Sequence, residues 1–235
     1  MRSRRLSLAG ARDSARSYGR RALRVLIASG PTREPIDPVR FLSNYSTGYL
    51  GQCVATEALR RGHRVRVVSG PTSFPPPPGA RVAWVEQARQ MRRALRRWLP
   101  WADALIMAAA VCDFQPVTVR EAKLPRRGRL QLALKATPDI LGSLPRRRGQ
   151  VRVGFALETG HAHARAAAKL KAKRLDLIVG EHLSGSGGPF GRRPVRAFLA
   201  DRSGTVKRLG RVLKPRLAYA ILDEVERLWY GGGKA

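Results

Sequence analysis

Two short apolar runs, Val25-Leu26-Ile27-Ala28 and Arg64 to Ser69, both stop at the same tripeptide, Gly-Pro-Thr at 30–32 and 70–72. Between them Thr47 to Arg61 has helical spacing, with Leu50, Val54 and Leu59 turned inward and Gly62 as the stop. Strands that run parallel need a crossover, and a helix is the usual one. The rhythm continues with a strand at Arg81 to Val85, an arginine-studded helix at Gln87 to Leu99 and a strand at Ala104 to Val111. That last run is apolar throughout, as burial on both faces requires. Val151 to Leu157 and Leu175 to Val179 read as further strands, with helices at Ala162 to Lys173 and Lys214 to Trp229. The pattern predicts a doubly wound, Rossmann-like α/β domain with a parallel sheet, whose ligand lies beyond the carboxyl ends of the strands.

Other stretches break the rhythm. Asp113 to Leu134 carries Pro116, Pro125, the basic run Lys123 to Arg127 and alternating Leu130, Leu132 and Leu134, which predicts a projecting flap with a hairpin. Arg196 to Ala200 and Thr205 to Leu209 flank Asp-Arg-Ser-Gly as a second hairpin, and Ser184 to Gly191 reads as a mobile loop. Residues 23–230 form one domain, preceded by a basic, disordered arm at 1–22 and followed by a tail at 231–235. The formal charge of +30, from 46 Lys and Arg against 16 Asp and Glu, attracts phosphorylated small molecules, nucleic acid or an anionic surface and does not choose among them. Cys53 and Cys112, each inside an apolar run, have neither a disulfide framework nor metal-ligand spacing, which places the chain in a reducing, cytoplasmic compartment. The longest apolar stretch is too short for a membrane span.

The dinucleotide fingerprint and the P-loop are absent. No Ser-His-Asp order can be assigned, and the four histidines, 63, 161, 163 and 182, lack convincing metal spacing, so the metal ligands stay unassigned. What remains is an anion cradle. A strand that breaks at Gly30, wanders through three prolines and re-enters order at Ser43, Ser46, Thr47 and Gly48 presents backbone N–H groups to a phosphate. Asn44, just before the helix, is read either as its cap or as a functional amide. Lys169 and Lys173 at i, i+4 share one helix face, either solvated or clamping a triphosphate. Cations, amides and no obvious general base suit nucleotidyl transfer, where a substrate carboxylate is its own nucleophile.

The run from Gly30 to Gly48, with Ala108 to Phe114, Thr137 to Leu141 and Gly154 to Thr159, resembles phosphopantothenate–cysteine ligase, the synthetase half of the bifunctional coenzyme A biosynthesis flavoproteins. The likeness covers roughly residues 23 to 228 in matching order. It implies CTP-dependent joining of 4′-phosphopantothenate and L-cysteine through an acyl-cytidylate, with Mg²⁺ and without flavin, in a homodimer whose flap takes part in the site, and with a separate decarboxylase as a further partner. By the same resemblance Asn44 holds the acyl-cytidylate, and Asp113 and the flap residue Lys123 contact CTP. Met107, Ala108 and Ala109 line the nucleotide, Pro138, Asp139, Ile140 and Leu141 face the triphosphate, Phe155 is the base-side aromatic, and Lys169 and Lys173 are the phosphate lysines. Three departures stand out: Tyr49 replaces a basic residue, Pro125 stiffens the flap, and Glu181-His182 replace an Asn-Asp pair. The competing reading is a catalytically idle relative that binds nucleotide or nucleic acid through its basic surface.

Overall fold

The computed structural model describes residues 21–126, 128–158, 162–182, 188 and 190–232; the expected disorder of the arm up to residue 20, Arg127, His161, most of the expected mobile loop and residues 233–235 lie outside them. The first half of the chain runs β1 (Arg24–Ser29), β2 (Arg33–Pro35), β3 (Phe41–Ser43), α1 (Tyr49–Arg60), β4 (Arg64–Ser69), β5 (Arg81–Trp84), α2 (Ala88–Trp98) and β6 (Ala104–Met107). Then follow β7 (Phe114–Pro116), β8 (Leu134–Ala136), α3 (Ile140–Ser143), β9 (Val151–Glu158), α4 (Ala162–Ala172), β10 (Leu177–His182), β11 (Val195–Asp201), β12 (Val206–Val212) and α5 (Lys214–Gly231). Eight strands form one sheet in the order β12-β11-β10-β9-β6-β1-β4-β5. The six from β10 to β5 are parallel, and β11 and β12 add an antiparallel hairpin edge.

Alternation along the strands builds two cores. In β1, Val25 and Ile27 join Val54, Val67, Ile106, Val153 and Ile221 beneath α1 and α5. Leu26 and Ala28 point the other way, to Met91, Leu95, Leu105 and Ile178 beneath α2 and α4. The paired Gly-Pro turns sit side by side at the carboxyl ends of neighbouring β1 and β4. There the backbones touch: a Cβ on Gly70 would lie 1.9 Å from the Pro31 carbonyl oxygen.

Four local expectations are corrected. The strand from Ala104 ends at Met107 rather than Val111, because residues 108–111 turn out along a cleft and only Ala110 bridges back, to Pro31. The helix begins at Tyr49 rather than Thr47, because Gly48 adopts φ 79°, which a residue inside a right-handed helix cannot. The proline-rich stretch after Gly30 contains a hairpin, β2–β3, whose turn is held by the Asp37 carboxylate accepting from the amides of Val39 and Arg40. In the flap, β7 pairs with β8 at Leu134 to Ala136, so Leu130 and Leu132 precede the paired strand. All three leucines, 130, 132 and 134, are exposed among the described residues.

Candidate active site

A cleft of about 680 Å³ opens at the carboxyl ends of β6, β9 and β10. Its floor follows from the topology, since the chain leaves each strand upward into a loop or a helix start. One wall is Met107, Ala108 and Ala109 continuing to Asp113; a second is Pro138, Asp139, Ile140 and Leu141 at the start of α3; a third is Ser46, Thr47 and Gly48 leading into α1. Phe155 on β9 and Lys169 and Lys173 at the end of α4 complete it.

The expected residues thus divide. Ser46, Thr47, Gly48, Met107 to Ala109, Asp113, Pro138 to Leu141, Phe155, Lys169 and Lys173 share one cavity. Gly30 lies in the turn below, its carbonyl accepting from the Ala110 amide (3.0 Å), and Ser43 donates its hydroxyl to the Thr32 carbonyl (2.8 Å). Asn44 stands at the lip, its amide donating to the carbonyls of Ala110 (3.0 Å) and Val111 (3.1 Å), two residues that line the cleft. It does not cap α1, whose N-cap is Gly48. Because the Asn44 N–H groups already have backbone acceptors, a substrate carbonyl must displace one of them to be held.

Lys123 is not part of this chain's cleft wall. Its neighbour Leu124 is clasped on both polar backbone atoms: the amide donates to Asp37 Oδ2 (3.1 Å) and the carbonyl accepts from Arg40 Nη2 (2.6 Å). The flap is therefore tied to the β2–β3 turn.

The two cleft lysines are held differently. Lys169 Nζ donates to the Phe155 carbonyl (2.6 Å), and Lys173 Nζ pairs with the Asp139 carboxylate. Asp139 also caps α3 by accepting from the Gly142 amide (3.0 Å). Burial pushes its carboxyl up, but the hydrogen bond from Lys173 and the cap outweigh this and hold it below the usual carboxylate range. A phosphate entering the cleft competes with Asp139 for Lys173. Where the resemblance implies a basic residue, the Tyr49 ring packs at a tilt against Phe74 with centroids 4.7 Å apart, and the Arg192 guanidinium lies 5.7 Å from the Tyr49 ring.

Sequence reasoning did not assign two further residues of the cleft, Glu181 at the end of β10 and Lys214 at the start of α5. Burial pushes the Glu181 carboxyl up, partly offset by the Lys214 charge; it pushes the Lys214 ammonium down. Lys214 did leave a signal, since a cation in the first turn opposes the helix dipole. Among the described residues no group of three His, Cys, Asp or Glu side chains is placed to hold a metal ion, and no helix is long and apolar enough to cross a membrane.

Residues 21–228 match the DNA/pantothenate metabolism flavoprotein C-terminal domain family. The chain is 40% identical over 207 residues to the coenzyme A biosynthesis bifunctional protein CoaBC of Bacillus subtilis, an alignment covering 87% of this chain and 51% of that protein. It is 38% identical over 206 residues to a cysteine/cysteine sulfinic acid decarboxylase from an unknown prokaryotic organism, covering 86% of this chain and 57% of that one. The chain spans about half the length of these curated relatives. The crystal structure of the C-terminal domain of a coenzyme A biosynthesis bifunctional protein CoaBC matches with a TM-score of 0.74 at 32% identity, over 89% of this chain and 96% of that one. With its parallel sheet, its cleft at the carboxyl edge and this extent of likeness, the chain belongs to the DNA/pantothenate metabolism flavoprotein C-terminal domain family.

Proposed function

We propose that the chain joins 4′-phosphopantothenate to L-cysteine using CTP, by way of an acyl-cytidylate. The observation that carries this reading is the convergence, in one cleft, of the Lys169/Lys173 pair with Asp113 and the Met107–Ala109 wall, and with Asn44 at its lip. The lysines draw in the triphosphate and offset its charge. The ionised carboxylate of phosphopantothenate needs no base; it attacks the α-phosphorus and pyrophosphate leaves. Asn44 is placed to orient the acyl group, and the amine of cysteine then attacks the carbonyl carbon and releases CMP. Magnesium entering with CTP would supply charge neutralisation on the triphosphate.

A homodimer belongs to this reading. Phe114, Val117, Leu130, Leu132 and Leu134 of the flap and Phe41 of β3 are exposed, and β2, which pairs with β3, packs against β7. In the homodimer that the resemblance implies, a second protomer covers that apolar surface and its flap lysine serves this cleft.

The test is pyrophosphate release from CTP or ATP with phosphopantothenate, before and after cysteine is added. The expected outcome is pyrophosphate without cysteine, amide with it, and CTP preferred. Carbon dioxide from cysteine alone would point instead to the chemistry named for the second relative. No turnover together with RNA binding that weakens steeply with salt would favour the idle, polyanion-binding reading, for which the exposed Arg92, Arg93, Arg96 and Arg97 of α2 are the natural surface.

A further inference from the structure

From the cleft geometry we infer that Glu181 and Lys214 form the seat of the amino-acid co-substrate, Glu181 receiving its ammonium group and Lys214 its carboxylate. This rests on the ligase reading. Both residues line the cleft yet are buried, Glu181 to 9% exposure and Lys214 to 5%. They stand apart from the phosphate lysines. In β10, Glu181 falls on the same face as Leu177 and Val179, which pack beneath α1 and α5, whereas Ala166 of α4 packs in the opposite core. In the parallel register Val179 pairs with Phe155 and Glu181 with Leu157, so the carboxylate lies one side-chain step beyond Phe155 toward the mouth of the cleft.

Charge selects the occupant. CTP, pyrophosphate and phosphopantothenate are all anionic, and a buried carboxylate repels each of them. Of the reactants only the amino acid brings a cationic group, and it brings an anionic one beside it. A buried acid next to a buried base is the complement of that zwitterion, and desolvation strengthens both contacts. Unlike charges left facing a cavity carry a desolvation cost that packing does not require.

The position suits the reaction. Lys214 Nζ donates to the Gly191 carbonyl (2.8 Å), and the preceding residue, Phe190, meets Tyr45 with ring centroids 5.9 Å apart. Tyr45 adjoins Asn44, so this compartment reaches back to the lip where the acyl group is held. Burial raises the basicity of Glu181, which suits a group that takes a proton from an ammonium. In the step, the ammonium gives one proton to Glu181 and its freed lone pair forms the C–N bond. The carbonyl carbon's bond to the CMP oxygen breaks with its electron pair on that oxygen, and the second nitrogen proton passes to water.

The experiment measures amide formed per pyrophosphate released, and the KM for L-cysteine, in the full chain and in Glu181→Gln, Glu181→Asp and Lys214→Met. Glu181→Gln is expected to raise the cysteine KM at least about tenfold and to lower the amide-to-pyrophosphate ratio by a similar factor, with Glu181→Asp recovering part of both. Lys214→Met is expected to bring L-cysteine and cysteamine, which lacks the carboxylate, toward equal use. Equal loss of amide and pyrophosphate in all three variants, an unchanged cysteine KM, or an altered choice among CTP, ATP and UTP instead, would overturn the assignment. Absence of pyrophosphate from the unaltered chain would sink the ligase reading itself, a result distinct from any of these.

Discussion

Asp37 shows how much one carboxylate can organise. It accepts the amides of Val39, Arg40 and Leu124 and the Arg40 guanidinium, so it shapes the β2–β3 turn and fastens the flap at the same time. Burial pushes its carboxyl up, but the three amides and Arg40 hold it far below the usual range. Asp37→Asn keeps the shape and loses the charge; trypsin is then expected to cut at Lys123 and Arg126 several-fold faster at neutral pH, read by mass spectrometry, and an unchanged rate would show that the clasp does not restrain the flap. Asp103 plays a comparable part between β1 and β6, accepting from the Arg24 amide (2.9 Å) and from its guanidinium (2.7 Å). Burial raises its carboxyl, and the Arg24 hydrogen bonds and the charges of Arg24 and Arg21 outweigh that and lower it. A lowered carboxylate adds stability that is complete above its ordinary value near 4 and drains away as the pH falls through the folded value. Asp103→Asn should therefore cost about 2 kcal/mol at pH 7, less than for a fully buried pair because Arg24 reaches solvent. The gap to the parent should close below about pH 4 in denaturation profiles.

At the level of elements, the strands were the legible part and their exits were not. β1 and β4 announce themselves by apolar residues with β-branched partners, and the helices by spacing and by stops such as Gly62. The hairpin hidden among three prolines was missed because its hydrogen bonds come from a side chain, Asp37, and from pairing with a strand six residues on. The overlong reading of the strand at Ala104 fails for a related reason: Ala108 to Val111 are apolar because they line a cavity, and composition cannot tell a cavity wall from a core. The close turns of β1 and β4 make a direct prediction. Gly70→Ala puts a methyl group into the Pro31 carbonyl, which is backbone and cannot rotate away, so the turns must part. The expected cost is about 1–3 kcal/mol in urea denaturation, and a loss below about 0.5 kcal/mol would mean that the turns separate freely.

For the molecule as a whole, the charge of +30 and the uncovered apolar flap act in different ways. The charge is a long-range field that gathers anions and is screened over about 8 Å at physiological salt. The flap is an exposed apolar surface, and Lys123 within it lies outside the cleft wall of its own chain. If it serves a neighbour, two inactive variants can repair one another. Asn44→Asp and Lys123→Gln, each expected to make little amide alone, should regain about a quarter of the parent activity per protomer when mixed and allowed to exchange partners, provided dimers form at random. No recovery, with sedimentation showing that exchange took place, would mean that each flap serves the cleft of its own chain.

By itself the sequence determined the order of most strands and helices, the parallel sheet and the edge at which the cleft opens. These follow from short-range periodicity and from turns whose chemistry is local, whereas residues such as Asp113 and Phe155 are named through the resemblance of longer motifs. Tertiary structure alone decided that Asn44 points to the Ala110 and Val111 carbonyls rather than capping a helix, that Asp139 pairs with Lys173, and that Glu181 and Lys214 share a buried wall. Such partners are far apart along the chain, and where a side chain spends its charge or its hydrogen bonds depends on what packing brings within about 3 Å of it.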